Sequence, residues 1–513
     1  MYIDAPYPYR RHMVPLSDGS HVAFARIEGI PKGKLEFHSV HAESRDARLA
    51  YVATLRLLKL ASYGVENPLV IVWDAFSHSH PSPLRLDSAL REGHHDTVYL
   101  SMNSYISHHI REVIASGNFD FRHGRLVVKK VFTPFHVRAS EIIERLYAEN
   151  RIGVFSSEPD LRREQIIDTI DAARDCIAVG QIGYPSTYAR DTAYPIVFNA
   201  SYFLFESEDY MSPFSLFGEA YNLHIHAGRV VTPPLYSRSA LLVGSDGKIN
   251  MRQVKITDMH LTALGRSWNL GEFALNTESD YSVYTRMFGV AEHGRTIGAS
   301  PLKPGQVDFL LVGRSIVGMR RGGGLDLPQN GFVLSVPESI LEQCDLTQLD
   351  ADYELTCQPD VLEAIQCGPG LVAQGEPILS SGSFDVEEFF PRRTRADGVV
   401  DPGVSPTDYC LDPAGMRAGR IVVGVCRDDS VVLLGAEGVN SGMAIPVEDS
   451  AGATLDDMVS LATEAGCYCA LNLDGGGSAN IRYMGGALLR TGDRRCMPGV
   501  VFERMVPTVG VII

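Results

Sequence analysis

Along most of this chain, short apolar runs alternate with glycine-bearing turns, a pattern of strands rather than helices. From residue 181 onward the apolar run 194–198 ends in Asn199-Ala200-Ser201-Tyr202-Phe203. A short strand follows through 225, with a turn at 227–229. The run 241–243 meets Gly244-Ser245-Asp246-Gly247-Lys248, a hairpin-type turn. Residues 307–312 form another run, and Arg320-Arg321-Gly322-Gly323-Gly324 is a turn led by two cations. Runs 420–425 and 430–434 flank Arg427-Asp428-Asp429 and predict a hairpin. Only 454–465 has clear helical spacing in this part. Thr454 is the expected N-cap, Asp457 takes the capping-box position usually held by Glu or Gln, and Gly466 stops the helix. A strand then leads straight into Asp474.

The first third reads differently. Runs 22–27 and 69–73 predict strands, and 47–60, 140–150 and 158–176 carry apolar residues at helical spacing. The expected fold class is therefore α+β. A smaller mixed α/β domain, 1–180, precedes a strand-rich domain, 181–513. The length of 513 residues supports this division, because a single core stops growing well below it.

Charge narrows the partners. A net charge of −16 argues against nucleic acid or an anionic membrane surface, since both reward a basic face. No run of about 18 apolar residues occurs, so no transmembrane helix is expected. Nine cysteines, an odd number without regular spacing, suggest free thiols and a reducing compartment. Cys467 and Cys469 read as two small buried residues. The first residues lack an apolar signal segment, and the expected location is the cytoplasm. The histidine pairs 78/80, 94/95 and 108/109 have no third ligand at a telling spacing. Neither metal nor cofactor is expected.

The stretch with the most chemistry is Leu471-Asn472-Leu473-Asp474-Gly475-Gly476-Gly477-Ser478. A strand that ends on a carboxylate beside three glycines puts a charged oxygen next to main chain that a ligand can touch. Successive N–H groups in such a turn can also form an anion-binding concavity. By itself the stretch reads more readily as a tight turn opened by an aspartate.

Its neighbours decide the matter. Asn199 to Phe203, Leu275-Asn276-Thr277 with Tyr284-Thr285, Arg320 to Gly324 followed by Pro328 to Ser335, and Gly368-Pro369-Gly370-Leu371-Val372 occur in this order. Arg420 with Gly424, Asn472 to Ser478, and Arg504-Met505-Val506 complete the series. In these pieces the chain resembles the phosphodiester glycosidase family over about 185–513. Departures from the family pattern are Ala200 and Ser201 in place of glycines, Glu437-Gly438-Val439 in place of Asp-Gly-Arg, and Ala479 after Ser478. An apparent insertion spans 389–416 and carries Arg392, Arg393 and Arg395.

The resemblance implies cleavage of a sugar 1-phosphodiester, giving free sugar and a phosphomonoester. Such a reaction passes through an oxocarbenium-like state and needs a carboxylate plus donors for the departing phosphate. Asp474 is the expected carboxylate and Glu219 the expected second one, chosen among Glu206, Glu208, Asp209 and Glu219. Gly475, Gly476, Gly477 and Ser478 would contact the anion, with Arg320, Arg420 and Arg504 as cationic grips. Asn199 and Asn276 would bond sugar hydroxyls, and Tyr202 would offer a ring face. His224 or His226 could line the cleft. The expected partner is a small sugar phosphate in a bacterial cytoplasm, with no nucleic acid and no membrane. The alternatives are a carbohydrate- or phosphate-binding protein without turnover, a glycosyl-transferring variant in natural-product or envelope metabolism, and a metal-dependent hydrolase.

Overall fold

The computed structural model describes residues 6–43, 48, 180–205, 209, 215, 217–390, 393–394, 400–401, 403–406, 415–439, 445, 448–493 and 503–513, together with three strands between 69 and 155. The expected helices 47–60, 140–150 and 158–176 lie outside the described residues, apart from Arg48. The histidine pairs, Glu206 and Glu208 also lie outside them. The chain forms two compact units. One comprises 1–41, 183–204 and 220–513, and the other 42–182 and 205–219.

The first unit is strand-rich with few helices. Its largest sheet has seven antiparallel strands in the order Tyr9–Pro15, His21–Ile30, Val431–Glu437, Arg420–Cys426, Cys467–Asn472, Gly370–Ala373, Glu376–Pro377. The three strands from Val431–Glu437 to Cys467–Asn472 are nearly continuous apolar runs, and almost every residue in them is buried. Such runs mark a sheet covered on both faces. The helix Leu455–Glu464 packs on this sheet through Leu455, Met458, Leu461 and Ala462, one helical face. Its capping box is reciprocal. The Thr454 hydroxyl accepts from the Asp457 N–H at 3.0 Å, and the Asp457 carboxylate accepts from the Thr454 N–H at 3.0 Å.

A second sheet, of five strands, runs Gly486–Ala487, Ile481–Tyr483, Ile196–Asn199, Thr508–Ile512, Leu35–Ser39. Two more five-stranded sheets follow. One contains Arg238–Gly244 and His224–His226, and the other Leu302–Val312 and Ser315–Gly323. The predicted hairpin at 244–248 is present, with Gly247 at φ +76° where a side chain would be strained.

Residues 1–41, assigned from sequence to the amino-terminal domain, contribute strands to the first unit instead. His21–Ile30 pairs with Val431–Glu437, placing Ala23 opposite Glu437, and Leu35–Ser39 pairs with Thr508–Ile512. An alternating pattern tells that a segment is a strand but not which distant strand completes its hydrogen bonds. In the other unit, Leu69–Trp73 lies between Thr97–Leu100 and Gly153–Phe155 in a parallel three-stranded sheet.

Candidate active site

The site is built where the strand Cys467–Asn472 ends. The ladder with the Arg420 strand continues one residue further, as the Leu473 N–H donates to Ile421 O at 2.9 Å. Asp474 then turns away, and its N–H donates to Ala200 O at 3.0 Å. Asn199 fixes the next peptide unit, on the other side of the Asp474 Cα. Its side-chain amide donates to Asp474 O at 2.6 Å, while its Oδ1 accepts from the Asn480 N–H at 2.9 Å.

The Asp474 residue is half-buried. Its Oδ1 accepts from the Gly475 N–H at 2.9 Å, and the Ser478 hydroxyl bonds the same carboxyl. Arg504 and Arg420 are both close enough for their charges to act on it. Loss of hydration is the largest influence and raises the carboxyl from 3.8 to about 6. The Ser478 hydroxyl, Arg504, the Gly475 N–H and Arg420 oppose it and do not cancel it. An acid tuned to about 6 exchanges its proton near neutral pH, as acid–base chemistry requires.

The glycines are required by close approach. A Cβ at Gly475 would stand 2.5 Å from Gly419 O, and one at Gly477 would collide with the Arg504–Asp493 ion pair. In that pair Arg504 Nε and Nη2 each lie 2.9 Å from Asp493 Oδ2. Gly476 has φ +59° with open space around it. The expected row of donors for an anion is partly used within the protein. Gly475 donates to Asp474 and Gly476 donates to Gly419 O at 2.8 Å. Ser478 is buried and faces Asp474.

Arg420 is only 2% exposed. Its Nε donates to Ala453 O at 3.2 Å and its Nη2 to Met416 O at 3.0 Å. It therefore acts on Asp474 by its charge from inside the protein. Arg504, at the carboxyl-terminal Arg-x-Val segment, is the less deeply buried of the two.

Other expected residues have different tasks. Asn199 is buried and engaged in holding the Asp474 backbone, so it is not presented to a sugar hydroxyl. Tyr202 is buried as well. Its hydroxyl donates to Gly368 O at 2.9 Å and accepts from the Asn472 side chain at 3.2 Å, and its ring meets the edge of Phe389. It braces the floor under Asp474 and offers no free ring face. Asn276 closes a turn through the Thr285 N–H and hydroxyl. Arg320 lies on the strand Ser315–Gly323 and donates to Gly324 O at 2.8 Å. Arg320 thus lies in, and Asn276 directly after a strand of, a different sheet from the one whose strand leads to Asp474. Glu219 belongs to the other compact unit. His224 is fully buried, donates from its Nε2–H to Phe37 O at 2.8 Å, and has its pKa pushed down to about 4 by burial. His226 pairs with Glu363.

Three groups near this corner escaped the sequence reading. Cys367 is fully buried, and its thiol is raised first by burial and then by the charge of Asp474, which places the two close together. Glu387 is buried too and raised by burial. It accepts from the Gly370 N–H at 2.8 Å and from both the N–H and the hydroxyl of Ser239. Nothing local to Glu387 in sequence marks it, because its partners come from other segments. Glu437, which opens the segment where Val439 stands in place of the family's arginine, is buried against two cations. Arg11 approaches at 2.9 Å and Arg490 at 2.6 Å. Among the described residues no three His, Cys, Asp or Glu side chains gather in a group that could hold a metal ion.

Comparison with known proteins bears on the same stretch. No curated protein matches the chain. Among solved structures it is similar to a hypothetical protein from Synechocystis at 11% identity and a TM-score of 0.41, over 98% of this chain and 61% of that one. This chain therefore spans about 61% of the length of that relative. It is also similar to a protein from Burkholderia pseudomallei, at 16% identity and a TM-score of 0.39, over 100% of this chain and 99% of that one. A third is the zebrafish N-acetylglucosamine-1-phosphodiester alpha-N-acetylglucosaminidase catalytic domain auto-inhibited by pro-peptide, at 8% identity and a TM-score of 0.37, over 100% and 85% of the two chains. The motif pieces at 199–324 lie before the span that a family matches. Residues 329–513, which carry Arg420, Asp474 and Arg504, match the phosphodiester glycosidase family.

Proposed function

We propose that this chain hydrolyses a sugar 1-phosphodiester, releasing free sugar and a phosphomonoester. The observation that carries the reading is Asp474: a half-buried carboxyl raised to about 6, beside Arg504 and Arg420, on the Asp-Gly-Gly-Gly-Ser turn of a phosphodiester glycosidase-family segment.

Above about pH 6 the group is a carboxylate. In that form it stabilises positive charge growing on the anomeric carbon, or takes a proton from the attacking water. The phosphate is a good leaving group, so the demand for a strong acid is smaller than for an ordinary glycoside. Arg504 supplies positive charge toward the departing phosphate, and its pairing with Asp493 fixes the guanidinium in place. Asn199, Tyr202 and Asn472 hold the backbone around Asp474 and so set the carboxyl's direction.

The test is sugar release from a panel of sugar 1-phosphodiesters, with binding measured in parallel by calorimetry. The expected result is turnover of at least one by the natural chain, and binding without turnover by Asp474→Asn. Binding without turnover by the natural chain itself would replace this reading with that of a carbohydrate- or phosphate-binding protein.

A further inference from the structure

The seven-stranded sheet carries chemistry at the end opposite Asp474. The strands Arg420–Cys426 and Cys467–Asn472 run antiparallel, with Val422 opposite Asn472 at one end and Cys426 opposite Cys467 at the other. The register shifts between Val425 and Cys426, so the placement of the sulfur atoms, rather than ideal ladder spacing, decides whether the pair can be bridged. The side chains converge. Cys467 Sγ occupies the space over Gly424, two residues before Cys426, and a Cβ at Gly424 would collide with that sulfur. The Cys426 and Cys467 thiols are within hydrogen-bond reach of each other. Both are free thiols here; Cys467 is buried and Cys426 only half-buried. Cys469 is a third thiol close by, opposite Val425.

We propose that Cys426 and Cys467 are a modification site, forming a reversible cross-strand disulfide on contact with a small-molecule disulfide. The more exposed Cys426 thiolate attacks one sulfur of the reagent. That forms a mixed disulfide and expels one reagent thiol. Cys467 Sγ then attacks the Cys426 sulfur and expels the second. Two protein thiols are oxidised and one reagent disulfide is reduced to two thiols. Burial makes Cys467 a poor first nucleophile, so the order runs from Cys426 inward. The bond would tie the far ends of the two strands whose near ends carry Arg420 and Asp474. It closes the chain around the helix Leu455–Glu464, which favours the folded state while leaving the candidate active site untouched.

The full chain would be incubated with oxidised glutathione, digested without reductant and mapped by mass spectrometry. The expected product is a Cys426–Cys467 peptide pair lighter by two hydrogens, cleaved by dithiothreitol, with a melting temperature raised by several degrees. Cys469→Ser should keep the pair, whereas Cys426→Ser and Cys467→Ala should each abolish it, with circular dichroism confirming that both variants fold. Glutathione retained on Cys426 with no linked peptide would overturn the proposal, as would a Cys426–Cys469 pair formed in the natural chain.

Discussion

An aspartate that holds its proton up to about pH 6 in the folded chain costs folding free energy once it ionises. Below about pH 4 both folded and unfolded states keep the proton, and no cost arises. Between about 4 and 6 the unfolded state ionises first, and stability falls as pH rises through this window. Above it the cost is fully present, on the order of 1–3 kcal/mol. Asp474→Asn keeps an oxygen for the Gly475 N–H and removes the charge. It should therefore raise the melting temperature at pH 8 relative to pH 4, while turnover falls by roughly 10²–10⁴. Equal melting shifts at the two pH values would contradict the burial argument. The neighbouring glycines separate two effects. Gly477→Ala drives a methyl into the Arg504–Asp493 pair and should cost about 1–3 kcal/mol along with most of the activity. Gly476→Ala meets no atom and should cost only about 1 kcal/mol for its positive φ. Denaturant melts and rate measurements on both variants check the contrast.

At the scale of elements, the Thr454 cap sets the start of the helix that leads into the Asp474 strand. Thr454→Ala removes the acceptor for the Asp457 N–H and should destabilise the chain by about 1 kcal/mol without changing the pH dependence of turnover. A shifted pH profile would show instead that the helix controls the carboxyl. This helix, the hairpin of Arg420–Cys426 with Val431–Glu437, and the strand into Asp474 were all legible in sequence, because each is specified by neighbours within a few residues. The tasks of Asn199 and Tyr202 were not. A polar or aromatic residue at a strand end reads the same whether it faces a ligand or a buried carbonyl. Only the arrival of Asp474, Asn480 and Gly368 from distant segments decides it. Asp474 itself was legible because three glycines in a row have few other uses, and the structure gives each a separate steric or conformational reason.

For the molecule as a whole, the notable fact is that the unit holding Asp474 is closed by residues from the start of the chain. His21–Ile30 covers the open edge of Val431–Glu437, and Arg11 reaches the buried Glu437 from the strand Tyr9–Pro15. Deleting residues 1–30 should leave one edge of the long apolar strand Val431–Glu437 unpaired, and the expected outcome is aggregation on expression. Soluble, active protein from that deletion would show that these strands are dispensable. The pairing joins segments some four hundred positions apart, which no local pattern reports.

The central claim, that the ionisation of Asp474 governs cleavage, is tested most directly by the pH dependence of kcat/KM for a sugar 1-phosphodiester that the chain cleaves. The account predicts a rate that falls as pH drops through about 6, and an Asp474→Asn variant with little rate at any pH. A profile flat from pH 4 to 8, or a variant as fast as the natural chain, would contradict it.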